Sequence, residues 1–224
     1  MTHTLHRFGN TENLHDDYVV FAMSAKGINE EGSHVAIRRF MELAFELDPV
    51  NAGDTMTGNI FTHSRQHILD GIQDVGIAHA VFTDEEKVAT LLKRVREADL
   101  GISVVVSGLF DRVRERAQQA GLRQHTVECS VGVWGQVDRL PDAQTMQITT
   151  MCGHGLIAAD LVRQRALHVR AGRMSAAEAA CDLARLCVCG IFNPVRAARL
   201  LEAMAASKAR KEQGQPVAAG QTVA

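Results

Sequence analysis

Apolar residues recur along this chain in two rhythms. Tyr18-Val-Val-Phe-Ala-Met-Ser24, Ile77-Ala-His-Ala-Val-Phe82 and Ile102-Ser-Val-Val-Val-Ser107 are short, nearly unbroken apolar runs, the mark of strands covered on both faces. Residues 126–134 alternate well enough to predict another strand, and residues 146–150 a last one. Between these runs the period lengthens. Ile37, Phe40, Met41, Ala44 and Leu47 fall at i, i+3, i+4 and predict a helix over 35–47, closed by Asp48-Pro49 because the residue before proline avoids the αR region. Ile68, Ile72 and Val75 stripe a helix over 64–75. Thr83 and Glu86 form a capping box that opens a helix with Val88, Leu91, Leu92 and Val95 inward. Residues 111–120 make one more, stopped at Gly121. The most polar internal stretch, residues 51–59, reads as a loop.

Beyond residue 150 the strand rhythm stops. Ala158, Val162, Ala166 and Val169 mark a helix; Ser175 and Glu178 cap a second; Asn193-Pro194 opens a third with Val195, Ala198, Leu201 and Ala205 on one face. Period is lost near residue 207. The fold class expected is therefore α/β: a mixed sheet of about five strands with flanking helices and a C-terminal helical lobe. The expected organisation is one domain over residues 1–206, with a sheet region over 1–150, a lobe over 151–206, and a flexible tail over 207–224.

Composition narrows the function classes. A net charge of −2, with one Trp and one Tyr, offers neither the basic face nor the stacking platforms of a nucleic-acid binder. No stretch reaches membrane-spanning length and the N-terminus lacks a signal-type apolar core. The expectation is a cytoplasmic protein acting on a small molecule, with a homo-oligomeric or protein partner left open. Five cysteines make an odd number for a disulfide framework, and in a reducing compartment clustered cysteines point to ligation or catalysis.

Three of those cysteines sit on glycine-punctuated turns. Thr149-Thr-Met-Cys-Gly-His-Gly155 carries Cys152 and His154, and Cys187-Val-Cys-Gly-Ile-Phe-Asn-Pro194 carries Cys187 and Cys189. If a strand delivers the chain to Cys152 and a helix starts at Gly-His-Gly, the helix N-terminus favours the thiolate, the form that attacks or binds metal. Two cysteines one residue apart cannot share a helix face, so Cys187 belongs at a helix end and Cys189 in the loop. The two turns are expected to meet. Cys152, Cys187 and Cys189 would then leave one iron of a four-iron, four-sulfur cluster open to a small polar or carboxylate substrate, as Lewis acid or sulfur carrier, with His154 as acid/base or fourth ligand. The alternatives are a structural zinc site of the same three cysteines with His154, a cofactor-free thiol isomerase built on Cys152, and a metal or cluster carrier. Cys129 and Cys181 read as core.

Met-Cys-Gly-His-Gly resembles the cysteine loop of the proline racemase and hydroxyproline epimerase family. The resemblance implies that Cys152 matches one of two thiols that relay a proton at the α-carbon of an amino acid. It spans about six residues, and the family's second motif, of Ser-Pro-Cys-Gly-Thr type, is absent here. Two lesser candidates complete the reading. His63, His67, Asp70 and Asp74 would share one helix face, either as a metal clamp or as a solvated surface. Ser24, Lys26, Asn29, Ser107 and Gly108 follow strands, where α/β folds gather ligands, and Lys26 is the candidate anchor for a substrate anion.

Overall fold

The structure, a computed structural model, describes residues 7–212. After a single turn, α1 (Thr11–Leu14), come β1 (Tyr18–Met23), α2 (Ser33–Phe45), β2 (Asn51–Asp54), β3 (Gly58–Asn59), α3 (Arg65–Gly71), β4 (Ile77–Phe82), α4 (Glu85–Ala98), β5 (Ser103–Ser107) and α5 (Phe110–Gln119). Four further helices follow: α6 (Ala143–Thr149), α7 (Ala159–Arg170), α8 (Ala176–Leu186) and α9 (Pro194–Glu212). The five strands lie in the order β3-β2-β4-β1-β5. Every pairing is antiparallel, so the sheet is not mixed. With the short β3 and the two-turn α3 set aside, the path from β1 to β5 is β-α-β-β-α-β. The helices α2 and α4 cross over β4 and β1 respectively, which is the split β-α-β connectivity.

Helices cover both faces of the sheet, which explains why β1 reads as an unbroken apolar run although its neighbours are antiparallel. Tyr18, Val20 and Ala22 point to one side and pack with Ile37, Phe40 and Met41 of α2 and Val88, Leu91 and Leu92 of α4. Val19, Phe21 and Val81 point to the other and pack with Ile148, Met151, Leu183, Phe192 and Leu201 of the C-terminal lobe. The lobe therefore begins with α6, ahead of residue 151.

Three of the expected strands form, and two do not. Residues 146–149 belong to α6 instead, with Thr150 as its C-cap, because Asp142 caps the start of the helix. Its carboxylate accepts from the Thr145 amide at 3.0 Å and the Thr145 hydroxyl at 2.8 Å, and Ile148, Met151 and Cys152 then fall inward at helical spacing. Residues 126–134 have no regular structure. Val127, Val131, Val133 and Trp134 are exposed there, and among the described residues no strand pairs with them. Conversely the polar stretch 51–59 holds β2 and β3, joined through Asp54, whose carboxylate accepts from the Met56 and Thr57 amides at 2.8 and 3.1 Å. Burial of Asn51 and Asn59 overrides their weak strand propensity.

Helix ends differ in detail from the pattern. Asp84 rather than Thr83 caps α4, its carboxylate accepting from Glu86 N at 2.9 Å, whereas the Ser175–Glu178 box forms as expected. The last helix continues past residue 207 to Glu212; the remainder of the expected tail lies outside the described residues. Among the described residues no helix is long and apolar enough to cross a membrane.

Candidate functional site

Both cysteine turns lie on the lobe side of the sheet, and the chain brings them together. Cys187 is the C-cap of α8, its amide bonded to the Ala184 carbonyl at 3.1 Å, and Cys189 follows in the loop before α9. Cys152 is not at a helix N-terminus. It sits one turn past α6, its amide on the Thr149 carbonyl at 3.2 Å, and α7 starts only at Ala159. The helix end beside it carries the negative end of the dipole, so the expected activation of Cys152 is absent.

The three thiols are buried, Cys187 fully and the other two at 2 % exposure. They form a row. Cys187 stands between the other two and influences the titration of each. Cys189 Sγ lies 3.6 Å from Nδ1 of His154, whose residue is exposed. Backbone amides also face the sulfurs: those of Leu156 and His154 at Cys152, Phe192 at Cys187, and Ile191 at Cys189. Protons are consequently shared unequally. Its bond to Cys187 and burial raise the Cys152 thiol. The Cys187 thiol is helped downward by Cys152, but its bond to Cys189 and burial outweigh that and it is pushed up to about 12. Cys189 is lowered, chiefly because Cys187 donates to it, against the cost of burial. Within the row, Cys189 is the thiol shifted toward the thiolate, and it is the one next to His154.

Two asparagines hold the Cys187–Cys189 turn against the sheet. Asn59 donates to the Cys187 carbonyl at 2.9 Å and the Ala184 carbonyl at 3.2 Å, and Asn51 donates to the Phe192 carbonyl at 2.8 Å. Gly190, with φ +77, lies flat on β2; a Cβ there would stand 2.5 Å from the Ala52 carbonyl carbon and from Gly53 N. No side chain larger than hydrogen passes at that point.

Arg7 joins the two turns to each other. Its guanidinium donates to the Met151 carbonyl at 3.4 Å, just before Cys152, and to the Ile191 carbonyl, just after Cys189. The same group bonds Asp17 at 2.5 Å. Asp17 also accepts from Arg196 at 2.9 Å and Asn193 at 3.0 Å. Burial would raise the Asp17 carboxyl, yet Arg7 and Arg196 hold it below the ordinary carboxylate range. None of Arg7, Asp17, Asn51 or Asn59 stands out in the sequence, where each is a polar residue far from the cysteines. The one available signal is Asn193-Pro194, since Asn193 caps α9 by accepting from Arg196 N at 3.0 Å.

The other candidates lie apart. Lys26 is exposed in the turn after β1, whose polar bonds are made by Asn29 to Ala25 and to Gly101. Among the described residues no hydrogen bond or ion pair joins Lys26 to the thiols. The His63–Asp74 set is not one helix face, because α3 covers only Arg65–Gly71. His63 and His67 stack ring on ring at 4.6 Å. Asp70 binds Arg38 and Gln66, and Asp74 binds His34 and the Gly32 amide. Cys129 is exposed and Cys181 half-buried.

Among the described residues, no three His, Cys, Asp or Glu side chains already surround one point as a bound ion requires; the thiols and His154 make an open row rather than a closed ring. The chemistry of the donors nevertheless fits a thiophilic ion. Neutral thiols are weak acceptors and gain little from facing amides, whereas thiolate ligands are stabilised by them. Around a tetrahedral zinc, with sulfur at about 2.3 Å and nitrogen at about 2.0–2.1 Å, the sulfur–nitrogen edge is about 3.6 Å, the separation found between Cys189 and His154. A four-iron cube fits less well, because it stands between its cysteine sulfurs and these thiols lie close enough to perturb one another directly. No known protein family matches the chain, and neither does any curated protein or solved structure.

Proposed function

We propose that the protein binds a single thiophilic cation of the zinc class through Cys152, Cys187, Cys189 and His154. The observation that carries this reading is the 3.6 Å contact of Cys189 Sγ with His154 Nδ1 at the end of a row of buried thiols. Three sulfurs at such burial bear negative charge only against a cation, and the facing amides supply the outer contacts that orient thiolate ligands. When bound, the ion would supply a fixed positive charge joining the α6–α7 turn to the α8–α9 turn. The protein's own contribution is positional: Arg7 holds the carbonyls on either side, and Asn51 and Asn59 fix the second turn on β2. His154 is the one solvent-facing member of the set, so it marks where an incoming ligand or acceptor exchanges. That suits a metal-handling protein, and it suits an enzyme with a small polar substrate at the vacated position.

A second reading rests on the direction of proton sharing. With Cys189 the most acidic thiol and a histidine beside it, the same row serves as a metal-free thiol centre, with Cys189 rather than Cys152 as nucleophile.

The test is metal and acid-labile sulfide analysis of protein purified without air, followed by zinc titration against a chromophoric chelator. One ion per chain and no sulfide are expected. Serine at position 152, 187 or 189 should lower zinc affinity by more than the about 10–100-fold typical of outer contacts, and His154→Ala by less than any of the three. Iron with matching sulfide would return the site to a cluster. A protein that takes up no zinc, and whose Cys189 alkylates fast at neutral pH, would establish thiol chemistry instead.

A further inference from the structure

β2 ends in an acidic residue whose carboxylate is only half engaged. Asp54 is wholly buried. Its Oδ1 accepts from the Met56 and Thr57 amides at 2.8 and 3.1 Å and from the Thr57 hydroxyl at 3.2 Å. Among the described residues no donor reaches Oδ2. A buried acceptor left unmet costs free energy, most of all when it carries charge. What Oδ2 does face is a second acceptor. A Cβ at Gly76 would stand 3.1 Å from Asp54 Oδ2 and 2.9 Å from the Gln73 carbonyl oxygen. Outside residues 75–77 the next nearest atom is the Gln73 carbonyl carbon at 3.9 Å. Two oxygens therefore border one small space that the absent side chain of Gly76 leaves unfilled.

The turn that places the second oxygen is strained. Val75 has φ +64, a region that β-branched residues rarely enter. It is held there by its own amide on Ser33 Oγ at 3.1 Å and by the Gly76 amide on the Gln73 carbonyl at 3.1 Å. Strain of this kind persists where the surroundings enforce it, and it gathers at sites. Asp74 beside it is committed to α2, where it accepts from the Gly32 and His34 amides and bonds the His34 ring.

We propose that Asp54 Oδ2 and the Gln73 carbonyl hold a hard cation of the calcium class, with water completing the shell past the exposed residues 73–75. A positive ion turns the facing of two acceptors from a cost into a ligand pair. Carboxylate and carbonyl oxygens are the donors such ions take. Oxygens at 2.9 and 3.1 Å from one point need only a small adjustment to reach calcium–oxygen contacts of about 2.3–2.6 Å. Magnesium fits less well, because it demands near-ideal octahedral geometry. A single carboxylate makes the site weak, with a dissociation constant on the order of 10⁻³ M. Bound there, the ion ties the end of β2 to the turn that secures the start of α2. Asp54 follows Ala52 by two residues and so shares the α2/α4 face with it. The thiols pack on the other face, and a hard ion has no preference for sulfur.

Thermal unfolding of the full chain in rising calcium chloride tests it, with sodium chloride at matched ionic strength beside it. The wild type should gain about 3–6 °C at calcium tenfold above the dissociation constant, and sodium should not reproduce the gain. Asp54→Asn keeps an acceptor for Met56 and Thr57 and turns an amide donor toward the Gln73 carbonyl. It should melt no lower than the wild type without calcium and show no gain with it. Gly76→Ala puts a methyl group into the space and should lose the gain as well. A wild type indifferent to calcium, a gain that sodium matches, or a gain kept by either variant would overturn the proposal. So would an Asp54→Asn protein that melts well below the wild type without calcium, because Oδ2 would then already have its partner. Calcium and zinc are titrated separately, so failure of one site leaves the other standing.

Discussion

The two faces of the sheet are held by different physics. On the α2/α4 face, Val20, Ile37, Phe40 and Leu91 meet through apolar area, an attraction without direction that tolerates small rearrangement, and the directional bond from the Tyr18 hydroxyl to Glu85, at 3.2 Å, sits at its margin. On the lobe face the apolar cluster of Phe21, Leu183 and Phe192 is crossed by directional bonds: Asn59 to Cys187, Asn51 to Phe192, Arg7 to Met151 and Ile191, and Asp17 between two guanidiniums. Burying such groups costs stability unless each is paired. What they provide is position, to a degree that packing of interchangeable hydrocarbon does not. The face that must hold three sulfurs and an imidazole in one small volume is the face built this way.

The largest break in that contrast is expected at Asp17. Its carboxylate is wholly buried between Arg7 and Arg196. Asp17→Asn leaves both guanidiniums facing a neutral amide, and removing one member of a buried ion pair costs about 3–5 kcal/mol. Urea denaturation of both proteins measures it. The pH dependence follows from the same group. Because the folded-state pKa lies below the ordinary carboxylate value, its stabilisation is complete above that value and is lost as pH falls through the depressed one. The wild-type midpoint should therefore drop steeply on acidification, while Asp17→Asn, lacking that proton uptake, should show a shallower slope. Parallel acid limbs in the two proteins would mean that Asp17 does not anchor the lobe face.

A smaller effect is expected at Gly190, and Gly155 serves as its control. Both have positive φ, +77 and +71. A Cβ at Gly190 meets the β2 backbone at 2.5 Å, whereas at Gly155 nothing lies within 4 Å. Alanine at position 155 incurs conformational strain alone, about 1–2 kcal/mol. At position 190 it also displaces the turn from the sheet, and the two causes together come to about 3 kcal/mol. The sharper readout is zinc affinity, which should fall in Gly190→Ala because Cys189 moves with its neighbour. It should hold in Gly155→Ala. Equal losses at both positions would show that strain, not close approach, sets the turn.

How much of this was legible in the sequence divides along the same line. The α2/α4 face is periodic, so Ile37, Phe40 and Met41 and then Val88, Leu91 and Leu92 declare their helices and their inward sides. The meeting of the two cysteine turns was legible from their glycines and spacing. Their supports were not. Arg7 bonds the Met151 and Ile191 carbonyls, and Asp17 bonds Asn193, across more than a hundred residues of chain, and a bond of that span leaves no local pattern. Residues 51–59 misled because Asn and Gly suppress strand propensity until burial and pairing override it. Residues 146–150 misled because threonine and isoleucine suggest a strand, while the decisive group, the Asp142 carboxylate, stands before the run. Residues 126–134 have strand pattern but form no strand, since alternation specifies pairing only where an edge is placed to receive it.

The smallest expected effect tests the tolerant face. Ile37 is fully buried in α2 against Phe40, Met41 and the sheet. Ile37→Val removes one methylene, and such changes cost about 0.5–1.5 kcal/mol, with most of the spread set by how far neighbours close the gap. A face packed by unpolarised contacts, with flexible Met41 adjacent, closes gaps well, which places the expected loss at the low end. Zinc affinity should be unchanged, because the methylene lies on the opposite side of β1 from Cys152, Cys187 and Cys189. Denaturation and metal titration on the same protein separate the two quantities. Were Ile37→Val to weaken zinc binding as much as Gly190→Ala does, the sheet would be transmitting packing changes from one face to the other, and the independence of the two faces would fail.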